Sequence, residues 1–247
     1  MTGEGSDSLD DADALPAAYS AWRQSTLGRI TDALEQDLIL ELIGPPDGKA
    51  ILDVGCGDGI LALELSRIGA NVVGVDTSER MIAAARKRSK DRGADLRFDV
   101  AGAESLPFET ASFDVVIAIT VLCFVEDAAG ALDEMIRVLK PGGRLIVGEL
   151  GKYSTWAALR RIKGWLGSPV WRVARFRSRG DLLALAEGAG LQDAAVTGAI
   201  FCPPFSAAAR LLAPIDPWLG RRTTAGAAFL VLCAFKPSAP EAAKETA

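Results

Sequence analysis

The sequence predicts an α/β fold, a mostly parallel sheet with helices wound over it and a helical cap inserted late. Three observations predict it. The apolar run at residues 51–54 ends beside Asp53 and meets a glycine loop, Gly55-Cys56-Gly57-Asp58-Gly59. A second apolar run, residues 71–75, ends in Asp76, 23 residues beyond Asp53. Strand-like and helix-like patterns then alternate along the chain, which favours parallel strands joined by right-handed crossovers.

The elements follow in order. Leu27, Ile30, Leu34, Leu38 and Leu42 recur at helical spacing, giving a helix from Tyr19 to Ile43 that Gly44-Pro45-Pro46 stops. Strands are expected near 50–54, 71–75, 95–99, 113–119 and 144–149, with helices near 59–68, 78–91 and 127–139. Pro141-Gly142-Gly143 reads as a turn into the fifth strand. Ser178 and Asp181 form a capping-box-like start for a helix near 179–188. Two late strands, near 192–200 and 226–235, are joined by a long connector containing prolines. In such sheets ligands bind at the carboxyl ends of the strands, where Asp53, Asp76 and Glu149 fall.

The loop discriminates between cofactors. A dinucleotide fingerprint needs a third glycine at position 60, which is Ile60. Carboxylates at Asp53 and Asp58 would repel a pyrophosphate. They suit a cationic, phosphate-free ligand, and S-adenosylmethionine is one. Asp76 could accept two hydrogen bonds from ribose hydroxyls, or could simply cap a turn.

The segments ILDVGCGDG, VVGVDTSERMIAAAR, ESLPFETASFDVV and EMIRVLKPGGRLIV together make residues 49–150 resemble the class I S-adenosylmethionine-dependent methyltransferases. The likeness is to the type 11 group of small-molecule enzymes that looks like the ubiquinone-biosynthesis methyltransferases. That resemblance implies a Rossmann-like seven-stranded sheet with an antiparallel last strand. It implies that Gly55, Gly57 and Gly59 wrap the methionine part and that Asp76 binds ribose. It further implies that Met81 packs on adenine and that Ala103 and Glu104 lie along its edge. Asp53, Cys56, Thr77 and Ala118 complete the expected cofactor set. Two departures bear on specificity: Gly102 stands where relatives usually carry an aspartate, and Cys123-Phe124 where they often carry histidines.

Length and composition permit one large domain, since 247 residues are 49% apolar. Residues 15–236 are expected to form it, between an acidic tail (1–14) and a second tail (237–247), both expected to be disordered. The acidic start is the reverse of a signal peptide, and no apolar run reaches the roughly 20 residues of a membrane span, so a cytoplasmic protein is expected. Four cysteines lack a C-x-x-C spacing and histidine is absent, so no metal site is expected.

Residues 152–179 stand apart. They hold eight cations, no acid and three of the five tryptophans, so the remainder carries −13 to reach the net −5. Three readings fit: an ordinary cap with tryptophans inward and arginines in water, a lid over an anionic and partly hydrophobic substrate, or a patch resting on an anionic membrane. Nucleic acid is disfavoured by the acidity of the whole.

Candidate acceptor contacts are Tyr19, Trp22, Cys123, Tyr153, Trp156 and Arg160, with Tyr19 and Trp22 alternatively core packing. Glu149 is read as a solvated strand-end carboxylate in preference to a base. The expected reaction is in-line methyl transfer to a small molecule without a dedicated catalytic base. A non-catalytic S-adenosylmethionine-binding regulatory or partner protein is the alternative, and an NAD-dependent oxidoreductase a further rival. The acceptor atom and the oligomeric state are not encoded in any motif.

Overall fold

A computed structural model describes residues 22–238. Both expected tails and Tyr19 therefore lie outside the described residues, apart from Pro237 and Ser238 at the edge of the second. The elements run α1 (Thr26–Ile43), β1 (Ala50–Val54), α2 (Ile60–Arg67), β2 (Asn71–Asp76), α3 (Glu79–Asp91), β3 (Arg97–Val100), β4 (Phe113–Ile119), α4 (Ala128–Val138) and β5 (Leu139–Leu150). Then come α5 (Thr155–Trp165), α6 (Pro169–Val173), α7 (Arg179–Gly188), β6 (Gln192–Ala199), α8 (Ser206–Leu212), a 3₁₀ turn (Ala213–Ile215), α9 (Asp216–Gly220) and β7 (Phe229–Phe235).

Seven strands form one sheet in the order β3-β2-β1-β4-β5-β7-β6. Pairing is parallel from β3 through β5, and β7 runs antiparallel to both β5 and β6. The last strand is thus the antiparallel one, as the family resemblance implies. The order reverses at β1, and the crevice expected at such a switch point opens between β1 and β4.

Each face of the sheet buries its own core. One face packs Leu132 and Met135 of α4 and Leu182 and Ala186 of α7 on Leu52, Val116, Leu145 and Leu232. The other packs Ile39 and Ile43 of α1, Leu65 of α2 and Ile82 of α3 on Ile51, Val115, Ile146 and Val231. Central strands read as nearly continuous apolar runs because both faces are covered.

Four differences from the sequence expectation have local causes. The first helix restarts at Ser25, whose side chain caps the Gly28 amide at 3.0 Å. Gly28 is required there, since a Cβ would lie 2.0 Å from the Trp22 carbonyl oxygen. Second, β5 begins at Leu139, with a register shift against β4, so Pro141-Gly142-Gly143 is carried within the strand as an irregularity. Third, the connector before β7 folds into α8, the 3₁₀ turn and α9. Asp216, 1% exposed, fastens it by accepting from the Ile200 and Phe201 amides at 2.9 and 2.8 Å.

The fourth difference is Glu149. It is not solvated: it is fully buried and pairs with Arg177 at 2.6 Å. Burial raises its carboxyl above the usual carboxylate range, while Arg177 and the Cys123 and Leu122 amides pull it back. The structural reason is a return strap. Arg177 forms a parallel bridge with Gly151 and donates its amide to Leu150 at 2.9 Å, which brings its guanidinium to the end of β5.

Candidate active site

The site is built around the turn after β1. Gly55, Gly57 and Gly59 all have positive φ (71°, 53° and 75°), so the loop folds tightly back on itself. At Gly55 a side chain is excluded outright, because a Cβ would meet Val121 at 2.3 Å. At Gly57 a Cβ would meet nothing within 4 Å, which leaves open space over the loop. The Gly55 and Cys56 amides bond the Val75 carbonyl, tying the loop to β2.

Asp76 then links loop and helix. Its carboxylate accepts from the Gly57 amide at 3.0 Å and from the Ser78 amide at 2.8 Å. Ser78 in turn caps α3. This arrangement fixes Asp76 at the rim of the crevice, pointing along the β2 carboxyl end.

A cleft of about 980 Å³ lies against these groups. Asp53, Gly55, Cys56, Gly57, Asp76, Thr77, Met81, Ala103 and Glu104 line it, as do Val121 and Phe124 from the turn after β4. Gly59 and Ala118 are not in its wall. Gly59 is used for packing, where a Cβ would press on Phe98 at 2.9 Å, and Ala118 is fully buried within β4.

Asp53 is the electrostatic anomaly. It is 2% exposed and its Oδ2 has no hydrogen-bond partner among the described residues. Burial, with Asp76 adding repulsion, pushes its carboxyl up to about 7. An unmatched carboxylate under an open glycine loop fits a cationic ligand, and S-adenosylmethionine carries an ammonium and a sulfonium. Asp58 is different: Arg88 pairs with it at 2.6 Å and Arg23 approaches at 3.9 Å. Its charge is compensated, so of the two loop carboxylates only Asp53 speaks against a pyrophosphate.

The family evidence agrees with this geometry. Residues 52–147 match the model described as a methyltransferase domain. A ubiquinone biosynthesis O-methyltransferase of Idiomarina loihiensis is 33% identical over 162 residues, 63% of this chain and 67% of that protein. One of Dinoroseobacter shibae is 32% identical over 178 residues, 69% of this chain and 71% of that protein. This chain belongs to the class I S-adenosylmethionine-dependent methyltransferases. Among solved structures, an S-adenosylmethionine-dependent methyltransferase of Thermotoga maritima, described as a possible histamine N-methyltransferase, superposes with a TM-score of 0.68. It is 28% identical, covering 89% of this chain and 95% of that one. The methyltransferase is therefore an enzyme with S-adenosylmethionine as its cofactor.

The expected acceptor residues scatter. Cys123 is fully buried behind the wall, because its carbonyl is held by the Arg175 amide at 2.9 Å. Trp156 belongs to the core, donating its indole N–H to the Cys202 carbonyl at 2.8 Å. Tyr153 is 70% exposed and outside the cleft wall. Trp22 packs at the edge of the α1-side core. Arg160 stacks on Trp156 and Trp171, with its guanidinium 5.3 and 4.8 Å from their ring centroids.

Sequence reasoning missed one face of α1. Asp32, Glu35, Gln36 and Ile39 all line the cleft. Their spacing puts them on one side of a helix, a polar stripe beside the leucine face that signalled the helix itself. The four cysteines, 56, 123, 202 and 233, are buried and unpaired. No group of three or more potential metal ligands is assembled among the described residues.

Proposed function

We propose that this enzyme methylates a hydroxyl oxygen of a small, partly hydrophobic molecule. The observation that carries its cofactor side is the buried Asp53 carboxylate beneath the open glycine loop, whose Oδ2 has no hydrogen-bond partner among the described residues. The names of the relatives, O-methyltransferases of ubiquinone biosynthesis, support oxygen as the acceptor atom. In this reading Gly55 and Gly57 accommodate the methionine portion of the cofactor, Asp53 offsets its positive charge and Asp76 receives the ribose hydroxyls. Thr77, Met81, Ala103 and Glu104 form the adenine side. The bound cofactor supplies a methyl group on cationic sulfur, open to in-line attack.

The chain's own contribution is alignment and exclusion of water, and orientation alone can contribute roughly 7–11 kcal/mol. Val121 and Phe124 extend the apolar wall toward the cap. Arg160, held between two tryptophans, offers a cation at the cap side of the acceptor. Labelled S-adenosylmethionine and a panel of phenols, alcohols, amines and thiols test the reading. Label recovered on oxygen acceptors supports it, and label recovered only on amines or thiols overturns it.

A second reading concerns partners, and the cap's surface favours it. Leu159, Ile162, Trp165 and Leu166 are 46%, 50%, 87% and 74% exposed, beside Arg161 and Lys163. An ordinary cap would turn Trp165 inward, yet it points outward while Arg177 is buried. We infer that this face rests on an anionic membrane surface, as amphipathic basic helices do. No described helix is long and apolar enough to cross a bilayer. Co-sedimentation with phosphatidylglycerol vesicles but not phosphatidylcholine vesicles is expected, and equal behaviour with both would contradict the inference.

A further inference from the structure

The chain has no histidine, so a hydroxyl acceptor has no imidazole to take its proton. A carboxylate stands in the right part of the cleft. Glu35 projects from α1 into the cleft wall, between Asp32 and Gln36. It has no hydrogen-bond or ion-pair partner among the described residues, so its oxygens are not committed to holding the fold.

The charges facing Glu35 come from three elements. Asp32 is on its own helix, Arg23 lies in the segment before it, and Arg160 reaches across from α5 of the cap. Ile119, Thr120 and Val121, from the end of β4 and the turn after it, line the same cleft as Glu35. Glu35 therefore shares the cleft wall with the glycine loop and with the end of β4, where acceptor and cofactor would meet. Burial and Asp32 push its carboxyl up to about 7, with Arg160 and Arg23 opposing. A base whose ionisation lies near the working pH is best matched to proton transfer.

We propose that Glu35 is the catalytic base of this methyltransferase, taking the proton from the acceptor's hydroxyl. The proposal rests on the oxygen-methylation reading above and replaces the sequence expectation of a reaction without a dedicated base. As the acceptor oxygen forms its bond to the methyl carbon, its O–H bond breaks and the proton moves to a Glu35 oxygen. The carbon–sulfur bonding pair departs on sulfur, leaving a neutral thioether. The Glu35 acid then returns the proton to water. Before attack, the Arg160 cation opposes any further rise in the Glu35 pKa and so keeps the carboxylate available.

The test compares wild type with Glu35→Gln and Glu35→Asp at saturating cofactor, following kcat from pH 5.5 to 8.5. A phenol of ordinary acidity and a nitrophenol already ionised at neutral pH serve as acceptors. For the ordinary phenol, wild-type kcat should rise through about pH 7. Glu35→Gln should lower kcat about a hundredfold and abolish that limb, with Glu35→Asp between. For the nitrophenol the variant and wild type should differ by less than about threefold, since no proton remains to be taken. A merely structural role would depress both acceptors alike, and that result overturns the assignment. So does an unchanged kcat and profile in Glu35→Gln. If wild type transfers label to no hydroxyl acceptor, the oxygen reading falls and this assignment falls with it.

Discussion

The cradle from β1 to β2 and the cap between β5 and α7 solve opposite electrostatic problems. The cradle buries a carboxylate, Asp53, whose Oδ2 has no hydrogen-bond partner among the described residues, an arrangement suited to a cationic ligand. The cap buries a carboxylate too, Glu149, but supplies a cation for it: Arg177 pairs with its Oε2 at 2.6 Å, while its Oε1, like Asp53 Oδ2, has no hydrogen-bond partner among the described residues. An unpaired buried charge is costly and marks a ligand site, whereas a paired one marks architecture. The cap pair also reaches the site indirectly. Two residues before Arg177, the Arg175 amide donates to the Cys123 carbonyl at 2.9 Å and its guanidinium to the Glu126 carbonyl at 2.8 Å. The strap thus fixes the turn after β4, whose Val121 and Phe124 line the cleft.

Breaking the cap pair should have the largest effect. Arg177→Met strands Glu149 in the core and is expected to cost about 3–5 kcal/mol of stability, read as a lowered midpoint in urea unfolding. A change below about 1 kcal/mol would show that the pair is not structural. In the cradle, Asp76→Ala removes the acceptor of the Gly57 and Ser78 amides and should cost about 1–3 kcal/mol of stability, and it should weaken S-adenosylmethionine binding by about 1.5–3 kcal/mol, the range for a charge-assisted hydrogen bond. Calorimetry that finds the affinity unchanged would remove Asp76 from the ribose role.

Asp53 gives a smaller effect of opposite sign on fold and ligand. Its carboxyl titrates near 7 in the fold, against about 3.9 in an unfolded chain. Its contribution to stability is therefore full below about pH 4 and is lost as pH rises through about 7. Asp53→Asn removes that loss, so the ligand-free protein should gain about 1 kcal/mol at pH 7.5 while binding the cofactor less well. A ligand-free variant no more stable than wild type would contradict the burial argument. The smallest effect belongs to the cap's outer face. Trp165→Ser should change stability by less than about 0.5 kcal/mol and spare cofactor binding, yet reduce retention on phosphatidylglycerol vesicles. Unaltered retention would leave the exposed tryptophan without a membrane role.

The cradle was legible in the sequence because its determinants are local. Asp53, the three glycines and Asp76 lie within 24 residues, and each follows from strand period, turn chemistry or helix capping. The cap was half legible. Its charge and tryptophan content stand out, but not which of them turn inward, since Arg177 meets Glu149 28 residues away and Trp156 meets Cys202 46 residues away. No periodicity encodes such pairings. Ser25 illustrates the same limit on a small scale: the leucine spacing of the first helix begins only at Leu27 and does not mark its start, which the capping bond from Gly28 to Ser25 reveals. Glu35 was hidden for a different reason. Its stripe on α1 reads as an ordinary wet helix face until the cleft is seen against it.

Titration calorimetry of S-adenosylmethionine against wild type and Asp53→Asn, from pH 5.5 to 7.5, bears most directly on the cation-seeking cradle. Wild-type affinity should increase as pH rises and level off near pH 7, while the variant binds more weakly and follows only the pH dependence of the ligand itself. Equal affinities and parallel profiles for the two proteins would contradict the assignment of Asp53 as the charge that receives the cofactor.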